Sequence, residues 1–360
     1  MKNKTAVVSL SLEQCAQSSG TRLFKLSGDN TGNLLFTAAV YSHLQYPEHI
    51  KGQDKPEELH NRYDQICIPA ANWIFPRFEF GWLADILEKA QLPVCCVGLG
   101  TQVDESQTSM LTQGTLRFLH VLSDQSTSIG VRGSLTAELM NKLGIKNVEV
   151  IGCPSLFQSF QVPSIKRVKN GAFESVGGSF TRYALSPKRE DFYQQSLARF
   201  LFEFADKIYF QSEIEEIRYL AGECELESNL AGFYNQSQEV VGSVLKKKGR
   251  CFNSIEAWLK DLQDCSAFYT SRIHGSVAAT LAGCPSILLT HDHRTRELAE
   301  SMVLANIPIE QADFSSFRDP EWFSEQVAHY ETAGTSWIRN RKRLVGLYET
   351  NNVPIIDFEE

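Results

Sequence analysis

Short, uninterrupted apolar runs recur along this chain, several closing on a glycine-bearing turn and followed by residues with helical apolar spacing. A strand that is apolar throughout must be covered on both faces, which is the situation of a parallel sheet between layers of helices. Pro93 to Val97, running into Gly98-Leu-Gly100-Thr101, has this form. So has Ser128 to Val131, which ends in Arg132-Gly133-Ser134 and leads into a helix that reaches Leu143 and stops at Gly144. The chain therefore reads as α/β, and in such sheets ligands gather at the carboxyl ends of the strands.

The most informative repeat of the design is Tyr269-Thr-Ser-Arg272-Ile-His274-Gly275-Ser276. Ala267 to Thr270 reads as a buried strand, and Ser276 is expected to cap a helix over Val277 to Ala282 that Gly283 ends. A helix N-terminus at a strand end offers unpaired N–H groups and a positive dipole to an anion, so Arg272 and His274 stand where an anionic ligand would be held. The plainer reading of such a histidine is a polar residue that ties the turn to its neighbour. Ser286 to Thr290 is the next buried strand and delivers His291-Asp292-His293-Arg294-Thr295-Arg296-Glu297 to the same edge. A metal site from His291, Asp292 and His293 is discounted, because alternate residues of an extended segment point to opposite faces.

Toward the start, Leu23 to Leu26 reads as a strand leading into Gly28-Asp-Asn30-Thr-Gly32-Asn33 and a helix from Leu34 to Leu44. That turn is either a tight connection that needs glycine or a backbone cradle for a ligand. Gln65 to Pro69 is a strand, Phe80, Leu83, Leu87 and Ala90 mark a helix, and Leu116, Leu119 and Leu122 mark another. Val148 to Ile151 ends in Gly152-Cys-Pro154-Ser155. Arg132 and Arg272 thus each sit at a strand-to-helix turn, one in each half, and could converge on one ligand if two sheets face a crevice; surface pairing is the alternative for Arg132.

The polar, basic stretch from Gln161 to Gly171, with Pro163, reads as a linker. The expected division is residues 1–162 as an acceptor-side domain, 163–318 as a donor-side domain, and a helical tail over 319–360. In the second domain Gly177-Gly178-Ser179 is a further candidate cradle, and Gly242 to Arg250, with three consecutive lysines, reads as a solvated loop. Helices are expected over Asp191 to Ala205, Glu213 to Leu220 and around Ile255, Trp258, Leu259 and Leu262. The tail places four positive charges between Arg339 and Arg343, either a solvated helix face or a contact with an anionic membrane surface.

With 360 residues, 42% of them apolar, the chain can build two cores, and a net charge of −8 argues against a nucleic-acid partner. Nine scattered cysteines without a C-x-x-C pair read as reduced core thiols of a cytoplasmic protein. The start of the chain lacks the apolar region of an export signal, and no run is long enough to span a membrane.

Taken together, Asn30-x-Gly32-Asn33, the Val131-Arg132 turn, Gly152-Cys-Pro154-Ser155 and above all Ser271-Arg272-Ile-His274-Gly275 followed by Arg294 resemble the polysaccharide pyruvyl transferases, over most of residues 25 to 300. The resemblance implies two Rossmann-like domains of the GT-B type facing a cleft. It implies transfer of the enolpyruvyl unit of phosphoenolpyruvate onto a glycan or lipid-linked sugar, as a pyruvate ketal. Carried onto this chain, it puts phosphoenolpyruvate against Arg132, Arg272, His274 and Arg294. Gly275 and Ser276 at the helix start are further donor-binding candidates, Asn30, Gly32, Asn33, Gly98 and Gly100 are candidates for the acceptor or cleft backbone, and His274 is the candidate general acid because the donor's methylene carbon must take a proton. No metal or other cofactor is implied. Asn33 stands where the family usually has aspartate, which bears on how the acceptor is activated. His274 is expected to have a lowered pKa beside Arg272 and to gain its proton when the anionic donor binds. Rival readings are a nucleotide-sugar glycosyltransferase of the same architecture and a catalytically idle glycan-binding subunit. The acceptor loops are expected around Tyr46 to Asn61 and Asn72 to Phe80.

Overall fold

The computed structural model describes residues 4–50, 54–76, 78–102, 109–166, 172–182 and 189–358. Parts of the expected linker and of both expected acceptor loops therefore lie outside the described residues. In chain order the elements are β1 (Thr5–Val7), α1 (Leu12–Ala16), α2 (Gly20–Leu26), α3 (Asn33–His43), β2 (Pro47–His49), β3 (Gln65–Pro69), α4 (Gly81–Ala90), β4 (Val94–Leu99), α5 (Gln113–Gln125), β5 (Ile129–Val131), α6 (Ser134–Lys142) and β6 (Val148–Val150). There follow β7 (Val176–Ser179), α7 (Arg189–Phe204), β8 (Lys207–Tyr209), α8 (Ile214–Leu220), α9 (Ser228–Tyr234), α10 (Gln238–Lys248), β9 (Gly249–Arg250), α11 (Ile255–Leu262), β10 (Ala267–Thr270), α12 (Ile273–Leu281), β11 (Ser286–Thr290), α13 (His293–Ser301), β12 (Asn306–Pro308), α14 (Pro320–Val327) and α15 (Tyr330–Thr350).

The strands form two six-stranded sheets, ordered β2-β1-β3-β4-β5-β6 and β12-β11-β10-β7-β8-β9, and every pairing within them is parallel. This is the doubly wound α/β arrangement expected from the uninterrupted apolar strands: β3, β4, β5, β10 and β11 are buried along their whole length. Each sheet reverses its strand order once, between β1 and β3 in the first and between β7 and β10 in the second. Those reversals open a crevice at the carboxyl ends of the two strands concerned.

Two compact units result, one of Met1–Ser9, Phe36–Val162 and Trp337–Glu360, the other of Leu10–Leu35 and Pro163–Ser336. The division at Val162 and Pro163 falls at the linker position, but two segments lie away from their neighbours in sequence, for identifiable reasons. In the second unit, Glu223 accepts from the Thr21 N–H and hydroxyl at the start of α2, and the Thr31 N–H donates to the Gln211 carbonyl. In the first, Asn351, just after α15, holds the Thr127 and Ser128 amides, and the Tyr348 hydroxyl meets His43. Leu83, Leu87, Phe118, Leu119 and Leu122 fill the first core, while Tyr269 stacks on Phe317 at 4.8 Å in the second.

Three local expectations are corrected. Leu23 to Leu26 is not a strand but the end of α2. Gly28 follows its cap at φ +66, its N–H bonding to the Lys25 carbonyl and that of Asp29 to the Phe24 carbonyl, a Schellman closure that a four-residue apolar window cannot reveal. Gly177 and Gly178 are no cradle: they are buried inside β7, where a Cβ would strike Phe268 at 2.8 Å and Leu201 at 2.3 Å. The stretch Gly242 to Arg250 is mostly helix, capped by Ser237, with Val241 and Leu245 buried a turn apart. Its lysines occupy the last turn, where a cation complements the helix dipole.

Candidate functional site

The second unit's reversal point collects the residues that the sequence singled out. Arg272 is the N-cap of α12, its N–H bonded to Thr270 Oγ1 at 2.8 Å. Its guanidinium is fixed along one edge: Nε donates to the Phe180 carbonyl at 2.7 Å, and Nη2 bonds to Ser212 Oγ and the Glu213 carboxylate. Nη1 makes no hydrogen bond among the described residues, so the pinned edge leaves one end of the fork to donate elsewhere.

Glu213, only 1% exposed, is the hub of this arrangement. One oxygen accepts the Gln211 and Ser212 amides at 3.2 Å, the other the Arg182 amide at 3.3 Å, so the carboxylate ties the ends of β7 and β8 to the end of β10. Arg182 in turn is bonded to Glu215 at 2.8 Å and to the buried Glu216, which also accepts from the Tyr234 hydroxyl. Two arginines thus face three glutamates, so much of the guanidinium charge at these strand ends is balanced.

His274 lies in the first turn of α12 and is 9% exposed. The turn Asn30-Thr31-Gly32 packs against it: Asn30 Oδ1 accepts the Gly32 amide at 2.9 Å, and a Cβ on Gly32 would lie 2.9 Å from His274 Nδ1 and 2.6 Å from Gln211 Oε1. On Gly275 a Cβ would lie 2.5 Å from Ser179 Oγ and 2.8 Å from Thr270 Oγ1. Both glycines are needed for close approach, with the Gln211 side chain between them. Because Arg272 provides no side-chain cap, the N–H groups of Ile273 and Gly275 keep no partner among the described residues. Ser276 is a correction: it lies inside the helix, fully buried, with its hydroxyl 2.7 Å from Ser286 Oγ, because the helix starts at Ile273 and not after the serine.

At the neighbouring strand end, Asp292 caps α13 in a reciprocal box with Thr295, and Arg294 reaches Asp292 at 3.1 Å. His291 is held below its ordinary pKa by burial, with Arg294 and Arg272 adding to the effect and Asp292 opposing it. Among the described residues no group of three or more His, Cys, Asp or Glu side chains could hold a metal ion.

The other expected residues have structural engagements of their own, Arg132, Gly98 and Gly100 in the first unit and Asn33 in the second. Arg132 is 3% exposed; Nε donates to the Gly98 carbonyl at 2.8 Å, Nη2 to the Ala70 carbonyl at 3.2 Å, and the guanidinium lies over Phe36. These bonds tie the ends of β3 and β4 to β5. Gly98, at φ +83, admits Pro154, and Gly100 admits Asn72, whose Oδ1 lies 2.4 Å from where a Cβ would stand. Asn33 Nδ2 donates to the Ser27 carbonyl at 2.9 Å, a bond that a carboxylate could not make. Of the run Arg339 to Arg343, Arg341 is buried and donates to the Phe160 carbonyl, while Arg339, Lys342 and Arg343 are exposed. No helix among the described residues is long and apolar enough to cross a membrane.

Sequence reasoning missed Glu213 and Gln211. Their roles depend on contacts 59 residues away for Glu213 with Arg272, and with glycines on two other elements for Gln211. An acidic residue just before a helix with two more acids in its first turn looks only like helix capping.

The profile of the family described as Polysaccharide pyruvyl transferase matches residues 30–293. No curated protein matches the sequence. Among solved structures, the S. aureus MnaA-UDP complex is similar at 11% identity and TM-score 0.50, covering 99% of this chain and 100% of that one. Anabaena HepE in complex with UDP and glucose is similar at 11% identity and TM-score 0.48 over 97% and 100%, and a UDP-N-acetylglucosamine 2-epimerase at 11% identity and TM-score 0.47 over 100% of both. At such identities the likeness is one of fold, the two Rossmann-like units of the GT-B type.

Proposed function

The chain belongs to the polysaccharide pyruvyl transferase family, and from that premise we propose that it moves the enolpyruvyl group of phosphoenolpyruvate onto a glycan or lipid-linked sugar, forming a pyruvate ketal and releasing phosphate. The observation that carries the reading is the β10–α12 junction. There a guanidinium locked along one edge, the uncapped amides of Ile273 and Gly275 and the imidazole of His274 meet at a reversal point of the sheet.

In the proposed reaction, Arg272 Nη1 and the α12 amides bind the donor's anionic groups, with Arg294 beside them. Glu213 neutralises much of the charge of Arg272, so this arginine acts by directed hydrogen bonds more than by net attraction. His274 gives a proton to the methylene carbon, which becomes a methyl group and leaves its neighbour electrophilic. A sugar hydroxyl adds to that carbon and returns its proton to His274, the C–O bond to phosphate breaks, and a second hydroxyl adds to the same carbon, gives its proton to the departing phosphate and closes the ketal. Burial lowers the pKa of His291, with Asp292 opposing and Arg294 and Arg272 adding to the effect. A reducing, cytoplasmic setting is part of the proposal and fits nine cysteines none of which forms a disulfide. A lipid-linked acceptor would bring an anionic membrane surface to the exposed Arg339, Lys342 and Arg343.

Ligand-dependent thermal shift tests the choice of donor. Phosphoenolpyruvate should raise the melting temperature, and Arg272→Ala should abolish the rise. A rise with UDP-sugars and none with phosphoenolpyruvate would replace this reading by a glycosyltransferase.

A further inference from the structure

Gln211 stands two residues beyond β8, beside the reversal point of the second sheet, and its main chain is fixed from both sides. Its amide donates to the Glu213 carboxylate at 3.2 Å, and its carbonyl accepts the Thr31 N–H at 2.9 Å. The side chain has no such engagement. The residue is 1% exposed, yet its carboxamide makes no hydrogen bond among the described residues, and Nε2 is buried without an acceptor. A buried N–H left unmade destabilises a fold, and native chains keep such a group where something else uses it.

The surroundings show what it can use. Nε2 lies 3.3 Å from where a Cβ on Gly275 would stand, beside the first turn of α12. The hydroxyls on that side of Gly275 are committed: Ser179 Oγ and Thr270 Oγ1 lie 2.6 Å apart, and Thr270 Oγ1 also accepts the Arg272 amide at 2.8 Å. Among the described residues this leaves donors without acceptors: Gln211 Nε2, the N–H groups of Ile273 and Gly275, and Arg272 Nη1. Donors gathered at a helix start with nothing to receive their hydrogens fit an oxyanion.

We propose that Gln211 is a direct ligand of the donor, giving an Nε2 hydrogen to a carboxylate or phosphate oxygen held at the start of α12, an inference that rests on the proposed function and adds a binding residue to it. Gln211 Oε1 and His274 Nδ1 flank one point, lying 2.6 and 2.9 Å from where a Cβ on Gly32 would stand. An uncharged donor suits that place. It holds the anion without setting another positive charge beside the imidazole that must carry the proton.

The test is calorimetric titration of phosphoenolpyruvate, inorganic phosphate and oxalate into the full chain, as wild type, Gln211→Met and Gln211→Glu, with melting temperatures of the ligand-free proteins. Methionine keeps the length of the side chain and removes no bond of the fold, so Gln211→Met should melt at or above the wild-type temperature. Its affinity for phosphoenolpyruvate should fall roughly ten- to hundred-fold, the scale of one hydrogen bond to a charged group. Gln211→Glu sets a negative charge against the anion and should bind none. A matching fall for inorganic phosphate alone assigns the contact to the phosphate group, and for oxalate alone to the carboxylate. Unchanged affinities in Gln211→Met, no binding of any of the three by wild type, or a Gln211→Met chain that melts well below wild type overturns the proposal. Wild type that binds inorganic phosphate but not phosphoenolpyruvate, with that binding lost in Gln211→Met, keeps this contact and sinks the donor reading alone.

Discussion

Glu213 is where the account is most exposed. Replacing it by alanine leaves the Arg272 guanidinium, 9% exposed in its side chain, without its counter-charge, and leaves the amides of Arg182, Gln211 and Ser212 without an acceptor. Breaking one side of a buried ion pair costs about 3–5 kcal/mol, and the three amides lie at the loop ends, where water can replace part of what is lost. Glu213→Ala should therefore lower stability by about 3–5 kcal/mol, and Glu213→Gln by less, because one amide oxygen still accepts. A double-mutant cycle with Arg272→Ala, read from urea midpoints, isolates the pair: the second substitution should cost much less in the presence of the first, with a coupling of about 1–3 kcal/mol. In Glu213→Gln the KM for phosphoenolpyruvate should rise more than kcat falls, since the released guanidinium loses its aim but the acid remains. Additive stabilities and an unchanged KM would refute the idea that Glu213 positions Arg272.

Two further outcomes follow from buried contacts. His43 is fully buried, with Phe157 accepting from Nε2 and the Tyr348 hydroxyl donating to Nδ1, and burial lowers its pKa from 6.5 to about 4. The unfolded chain takes up this proton first as the pH falls, so the stability contribution is complete above pH 6.5 and is lost toward about 4, amounting to about 3 kcal/mol. Urea midpoints of wild type and His43→Gln should converge over that window, and parallel profiles would contradict the assignment. Gly32→Ala places a methyl group 2.9 Å from His274 Nδ1 and 2.6 Å from Gln211 Oε1. It should cost about 1–3 kcal/mol of stability and at least about ten-fold in turnover by displacing the imidazole, and normal turnover in a stably folded variant would show that the turn has no part in placing His274.

What the sequence made legible was local and periodic. The apolar strands Gln65–Pro69, Ala267–Thr270 and Ser286–Thr290 and the parallel sheets they build follow from burial on both faces, and the Arg272-Ile-His274-Gly275 element follows from its place at a strand end. The errors arose where two rules compete over a few residues. Leu23 to Leu26 satisfies a strand pattern as well as a helix end, and only the closure at Gly28 and Asp29 decides between them. Ser276 obeys the usual preference for a capping serine, yet an arginine held by Thr270 and Phe180 starts the helix earlier. The assembly around Glu213 was invisible because it joins three strand ends far apart along the chain, and the carbonyl partners of the buried Arg132 leave no trace in the sequence either.

The most direct measurement is release of inorganic phosphate from phosphoenolpyruvate by the purified chain in the presence of a glycan panel, with the ketal identified by NMR. Wild type should release phosphate in step with ketal formation, and His274→Gln should bind phosphoenolpyruvate yet release none. Undiminished release by His274→Gln, or no release by wild type with any acceptor, would contradict the assignment of this junction as the place where the enolpyruvyl group is transferred.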